Sequence, residues 1–154
     1  MPDSSGMSAP KINQSIMALD YGQRRIGVAV GNPITRNAQA LTTVIISDPF
    51  TISNALLDLI KEWQPHKLIM GMPYNADGSE SGMGKSIRRY AALLSDRIDM
   101  PIEFIDESYS SREAGKQIKE LRQTGKRNRR VKKTDIDKAA AAVMLQRWMD
   151  ENYT

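Results

Sequence analysis

The sequence predicts an α/β fold in which helices flank a five-stranded mixed sheet. Three observations predict it. An antiparallel hairpin opens the apolar part of the chain, later segments alternate between strand-like and helix-like apolar spacing, and 154 residues are the size of one domain. We therefore expect three antiparallel strands joined to two parallel strands in a single domain over residues 15–154. The Ser-, Pro- and Gly-containing residues 1–14 are expected to form a disordered leader.

The hairpin is the stretch from Ile16 to Gly31, IMALDYGQRRIGVAVG. Its first apolar run stops at Asp20, and the apolar character returns at Ile26 after a turn that contains Gly22. Gly22 permits a positive φ in this turn, and Gly27 leaves a gap on one face of the second strand. An ionised Asp is costly to bury unless a cation or hydrogen-bond donors meet it, although a lone Asp here is typical of a turn cap.

The remaining elements follow from the apolar pattern. β-Branched and apolar runs predict a third strand over residues 38–46, a fourth over 67–72 and a fifth over 101–106. Apolar residues at spacings of three and four predict helices over 51–63, 83–96, from Ser110 or Ser111 to about 122, and 134–150. A helix between two strands indicates a parallel crossover, so Asp20 and Glu107 are expected to face each other across one sheet edge.

The composition excludes several classes of protein. There is no cysteine, which removes disulfides, thiolate chemistry and Cys-based zinc sites. No stretch approaches the roughly 20 apolar residues of a membrane span, and the N-terminus lacks the pattern of a secretory signal. A cytoplasmic protein without a membrane partner is therefore expected.

The positive charge is concentrated in one segment, residues 112–133, which contains ten Lys or Arg and two Glu. Such a patch typically binds a polyanion, most often nucleic acid, although a solvated loop without a partner is the structural alternative. We predict that Arg88, on the second predicted helix, contacts nucleic acid. The other predicted contacts lie in the basic segment: Arg112, Lys126, Arg127, Arg129, Arg130, Lys132 and Lys133.

The final helix supplies a third acidic residue, Asp137. The residues at helical spacings from Asp137 are apolar: Ala140, Ala141, Met144, Leu145 and Trp148. Asp137 is therefore expected at the top of the buried face of the helix. Thr134 and Asp137 also resemble a capping box, which is the structural alternative. Together, Asp20, Glu107 and Asp137 form a set of hard oxygen donors that suits Mg²⁺ or Mn²⁺. Two such ions can hold a phosphodiester and activate water.

From about Ser15 to Glu151 the chain resembles the RuvX (YqgF) family of bacterial RNase H-like proteins, related in fold to RuvC-type resolvases. The motifs that carry the resemblance are LDYG at 19–22, RIGVAVG at 25–31, GMPYNADGS at 71–79, DESYSS at 106–111 and DKAAA at 137–141. The resemblance implies an RNase H-like fold and a nuclease, a hydrolase of phosphodiester bonds, that trims the 5′ end of pre-16S rRNA in ribosome biogenesis. Resolution of Holliday junctions in recombination and repair is the other implied role.

By position, Asp20, Glu107 and Asp137 match the family's catalytic, metal-binding acids. The family pattern Asp-Glu-Arg ends here in Ser108, so the basic residue beside Glu107 is missing, and Arg112 is the candidate replacement. The usual Phe after the first Asp is Tyr21.

Three other interpretations compete with the nuclease. A nucleic-acid-binding module without catalysis would use the carboxylates only as caps and would need no divalent metal. An actin-like or sugar-kinase ATPase is disfavoured because those enzymes close two such domains around the nucleotide. A dinucleotide enzyme is disfavoured because the glycines do not form the G-x-G-x-x-G pattern. The sequence fits a monomer or a homodimer; a resolvase needs a two-fold dimer.

Overall fold

A computed structural model describes residues 15–22, 24–74, 77–79, 81–106 and 133–152, with side chains from Lys138 onward in the last range. Five strands form one sheet in the order β3-β2-β1-β4-β5. The strands are β1 (Ile16–Tyr21), β2 (Arg25–Asn32), β3 (Asn37–Ile45), β4 (Lys67–Met72) and β5 (Ile102–Asp106). Strands β1 to β3 pair antiparallel, whereas β4 pairs parallel with both β1 and β5. The predicted mixed sheet is confirmed.

Three helices are described: α1 (Asn54–Trp63), α2 (Gly84–Ser95) and α3 (Lys133–Asn152). The expected start of α1 at Thr51 is wrong. The Ser53 side chain accepts a hydrogen bond from the Ala55 amide at 3.2 Å and caps the helix there. The predicted helix from Ser110 or Ser111 and the predicted leader lie outside the described residues.

The side chains of β1 alternate between two apolar layers. Met17 and Leu19 face the core beneath α1 and α2, whereas Ile16 and Ala18 face the core beneath α3. This alternation places Asp20 on the α3 side of the sheet and Tyr21 on the other side, where its ring centroid lies 5.1 Å from that of Tyr90 in α2.

Helix α3 packs closely on the sheet through the face that the sequence predicts. The buried residues of this face are at most 6% exposed: Ala140, Ala141, Met144, Leu145 and Trp148. A Cβ atom at Gly31 would lie 3.0 Å from both Leu145 Cδ2 and Met149 Cε, so glycine allows the helix to approach β2. The Gln146 amide accepts from the Ala38 amide at 3.0 Å and donates to the Arg36 carbonyl at 2.7 Å. Apolar and polar contacts therefore fix the C-terminal half of α3.

A polar junction ties α3 to the amino ends of β4 and β5. Glu103 Oε1 accepts from Lys67 Nζ at 2.9 Å, and Glu103 Oε2 accepts from Trp148 Nε1 at 3.0 Å. Lys67 Nζ also lies 5.1 Å from the centroid of the Trp148 ring. Among the described residues, no helix is both long and apolar enough to cross a membrane.

Candidate functional site

The carboxyl ends of β1, β4 and β5 meet at one edge of the sheet. Leu19 pairs with Met70, and Met70 pairs with Phe104, so the three parallel strands end at nearly the same level. The chain continues from β1 to β2 on one side, whereas β4 flanks β1 on the other. Ligands of open α/β sheets bind outside the carboxyl ends of the parallel strands.

Asp20 lies at this edge of the sheet. It is one residue beyond the last β1–β4 pair and is half-buried. Its partner across the hairpin is Gly27, which carries no side chain and leaves space beside the carboxylate on the α3 side of the sheet. The predicted position of Asp20 at a strand end is confirmed.

Arg25 occupies the same face as Asp20, a position that the sequence reasoning missed. It is two residues from Gly27 on β2, and Ile26 between them faces the other core. Arg25 is thus the diagonal neighbour of Asp20, a separation of about 7 Å between strand positions that a long side chain can span. The hairpin register reveals this arrangement, which apolar spacing alone does not.

Gly22 makes the hairpin tip tight. Its amide donates to the Arg25 carbonyl at 2.7 Å, and a Cβ atom there would lie 3.0 Å from that oxygen. The positive φ that glycine permits is not used here, because Gly78 is the one described glycine in the left-handed region. The turn requires glycine for close approach instead.

The other two predicted acids are only partly described. Glu107 lies outside the described residues and directly follows Asp106, the last residue of β5. Asp137 belongs to α3, and its side chain lies outside the described part. Within the described ranges, no three His, Asp or Glu side chains cluster so that they could hold a metal ion. The three-carboxylate site therefore stays a prediction.

Asp77, in the loop after β4, is a further acidic residue near this edge. Its carboxylate accepts hydrogen bonds from the Ser79 hydroxyl at 2.6 Å and from the Ser79 amide at 2.9 Å. The hydroxyl and then the amide lower the pKa of Asp77. This side chain is therefore engaged in a local turn.

Among the predicted nucleic-acid contacts, Arg88 is the one whose side chain the structure describes. It is exposed on α2, and its guanidinium carbon lies 5.2 Å from the centroid of the Phe104 ring. The α2 residues Lys85 and Arg89 are also exposed. Lys133 begins α3, with its side chain outside the described part. The following predicted contacts lie outside the described residues: Arg112, Lys126, Arg127, Arg129, Arg130 and Lys132.

Comparison with solved structures defines the class of fold. The chain is similar to Thermus thermophilus RuvC, solved in complex with a Holliday junction substrate, with a TM-score of 0.52 at 14% sequence identity. The match covers 90% of this chain and 95% of that chain. The mixed sheet with its helices is therefore a RuvC-like RNase H fold.

Sequence comparison defines the family. A family model described as "RuvX: Holliday junction resolvase" matches residues 14–151. A Cupriavidus necator protein is 38% identical over 154 residues, covering 98% of both chains, and a Burkholderia lata protein is 37% identical over 147 residues, covering 96% of this chain and 95% of that relative. Both relatives carry the name "putative pre-16S rRNA nuclease". This chain belongs to the RuvX family, as the sequence motifs indicated.

Proposed function

We propose that this protein is a divalent-metal-dependent endonuclease that processes the 5′ end of pre-16S rRNA. The observation that carries the proposal is the position of Asp20, a half-buried carboxylate at the sheet edge where β1 and β4 end. The names of its full-length relatives support the choice of substrate.

The packing of α3 supports a role for Asp137 at the same edge. Leu145 lies against Gly31, which pairs with Ile16. From Leu145 back to Asp137 is about 12 Å along a helix, and from Ile16 forward to Asp20 is about 13 Å along a strand. The buried cluster with Leu145 and Ile16 also contains Ala141 and Ala18, so the helix follows the strand between these levels. These lengths support a position for Asp137 on the helix at about the height of Asp20.

The chemistry of these residues fits a hard divalent cation. Asp20, Asp137 and Glu107, the residue after β5, would supply carboxylate oxygens, and the chain has no cysteine that would favour a softer metal. Mg²⁺ or Mn²⁺ held there would polarise the scissile phosphate and lower the pKa of a water molecule. The fold would hold the carboxylates in place, and Gly27 would leave space beside Asp20 for the phosphate of the substrate. Arg25, on the same face as Asp20, is suited to bind a non-bridging phosphate oxygen.

A cleavage assay tests the proposal. The parent protein should shorten a pre-16S rRNA fragment in Mg²⁺ or Mn²⁺, and EDTA should abolish the reaction. Asp20→Asn, which keeps the shape but removes the charge, should lower the rate by at least about 100-fold. Asp58→Asn is the matched control, because Asp58 is exposed on α1. Equal cleavage by the parent and Asp20→Asn would refute the catalytic assignment.

A second candidate function is resolution of Holliday junctions. It is favoured by the description of the matching family and by the likeness in fold to a resolvase. A four-way DNA junction is therefore included in the same assay. Symmetric cutting of two strands, together with a dimer in solution, would favour this function over RNA processing. Binding of either substrate without cleavage would instead favour the non-catalytic module.

A further inference from the structure

Phe50, in the loop between β3 and α1, is an aromatic residue held in an exposed position. The side chain is 62% exposed. Its backbone is fixed, since the Phe50 amide donates to Asp48 Oδ1 at 2.9 Å and the Thr51 amide donates to the Asp48 carbonyl at 3.3 Å. A single exposed apolar residue needs no explanation by itself. The residues around Phe50, however, indicate a binding role for its ring.

Arg89 of α2 stacks on this ring. Its guanidinium carbon lies 4.4 Å from the centroid of Phe50, well within the range of a cation–π contact. Arginine and aromatic rings are the two planar surfaces on which proteins stack unpaired nucleobases. Phe50 and Arg89 therefore form an exposed planar pair that also carries a positive charge.

Two contacts place this pair at the same edge of the sheet as Asp20. The Ile46 amide donates to the Arg24 carbonyl at 2.8 Å, so the loop that carries Phe50 starts at the tip of the β1–β2 hairpin. The ring of Tyr21, the residue after Asp20, lies 5.1 Å from that of Tyr90, the residue after Arg89. Asp20 is on the α3 side of this edge, whereas the pair is on the α1 and α2 side.

We propose that Phe50 and Arg89 bind an unpaired base of a single-stranded segment that crosses this edge beside the phosphate held near Asp20. The proposal deepens the proposed function, on which it rests for the identity of the ligand as nucleic acid. A fully paired duplex keeps its bases stacked inside and offers none to Phe50. The site therefore selects substrates with single-stranded nucleotides next to the cleavage point.

Binding in EDTA tests the stacking site apart from cleavage. The probes are a fluorescent single-stranded RNA of about 12 nucleotides and a blunt duplex of the same sequence, at one salt concentration. Phe50→Leu keeps apolar bulk but removes the ring, and should weaken single-strand binding roughly tenfold while leaving duplex binding unchanged. Phe50→Trp keeps an aromatic ring and should bind the single strand as the parent does. Ile34→Ala is the matched control, because Ile34 is 61% exposed in the turn at the opposite edge.

The outcomes separate this proposal from the proposed function. Unchanged single-strand binding by Phe50→Leu, equal losses for single strand and duplex, or failure of the parent to bind the single strand would overturn the stacking site. If the Phe50→Leu loss is found but the parent does not cleave RNA, the stacking site stands and the nuclease assignment falls. If the parent cleaves and Phe50→Leu binds normally, only the stacking site falls. A thermal unfolding curve checks that each variant is folded.

Discussion

At the scale of single residues, Glu103 links three elements through one carboxylate. The hydrogen bond from Lys67 lowers its pKa, partial burial opposes this effect, and the Trp148 N–H adds to the lowering. A carboxylate with a lowered pKa in the folded protein contributes stability above its ordinary pKa, and this contribution is lost as the pH falls through the lowered value. Glu103 therefore stabilises the docking of α3 at neutral pH and not in acid.

Glu103→Gln tests this linkage. At about pH 7 we expect a loss of about 0.5–1 kcal/mol in the free energy of unfolding, since the side chain is 43% exposed and solvent screens the ion pair. The difference from the parent should shrink as the pH is lowered from about 7 to about 3, because protonation of Glu103 removes the charge that Lys67 stabilises. Urea unfolding at the two pH values measures it, with the exposed Glu62→Gln as control. A difference that is the same at both pH values would contradict the account.

Arg25 and Arg24 provide a second test at this scale, because they are adjacent but differ in position. Arg25 is half-buried on the face of Asp20, whereas Arg24 is exposed at the hairpin tip. Arg25→Gln should lower kcat/KM for RNA cleavage by roughly 10- to 100-fold through loss of a phosphate contact, and Arg24→Gln by less than about threefold. Steady-state kinetics with both variants measures this. Equal effects would mean that only overall charge matters.

At the scale of elements, the position of α3 depends on close approach to β2. Gly31→Ala would put a methyl group 3.0 Å from the Asn37 carbonyl oxygen, Leu145 Cδ2 and Met149 Cε. We expect a loss of about 1–3 kcal/mol in the free energy of unfolding, because backbone and packed side chains must shift. Gly82→Ala, where nothing lies within 4 Å of the new methyl group, should be near neutral. Chemical unfolding measures the stability of both variants. Equal stability of Gly31→Ala and Gly82→Ala would show that α3 packs on β2 less tightly than described.

The elements also show what the sequence could predict. The hairpin, the parallel strands and the buried face of α3 follow from apolar spacing, because each spacing fits one secondary structure. The start of α1 was missed, since a helical pattern does not reveal that Ser53 caps the chain two residues later than expected. The contact of Gly31 with α3 and the neighbourhood of Arg25 and Asp20 depend on register and tertiary packing, which a single sequence does not encode locally.

At the scale of the whole molecule, the excess positive charge and the acidic candidate ligands lie in different segments of the sequence. Residues 112–133 carry a net charge of +8, whereas the rest of the chain carries −4. The three candidate ligands belong to a hairpin, to the sequence directly after β5 and to α3, so the proposed site would depend on the complete fold. In the proposed function, acidic residues alone would repel a polyanion, and the basic segment between Glu107 and Asp137 in the sequence would attract it.

The central claim is that Asp20, Glu107 and Asp137 share a divalent cation, and calorimetric titration with Mn²⁺ tests it most directly. The parent should bind Mn²⁺, and Asp20→Asn, Glu107→Gln and Asp137→Asn should each weaken binding by at least about tenfold, as the loss of a carboxylate ligand predicts. Asp135→Asn, two positions from Asp137, should bind as the parent does. A parent that binds no Mn²⁺, or three variants that bind it as tightly as the parent, would contradict the account.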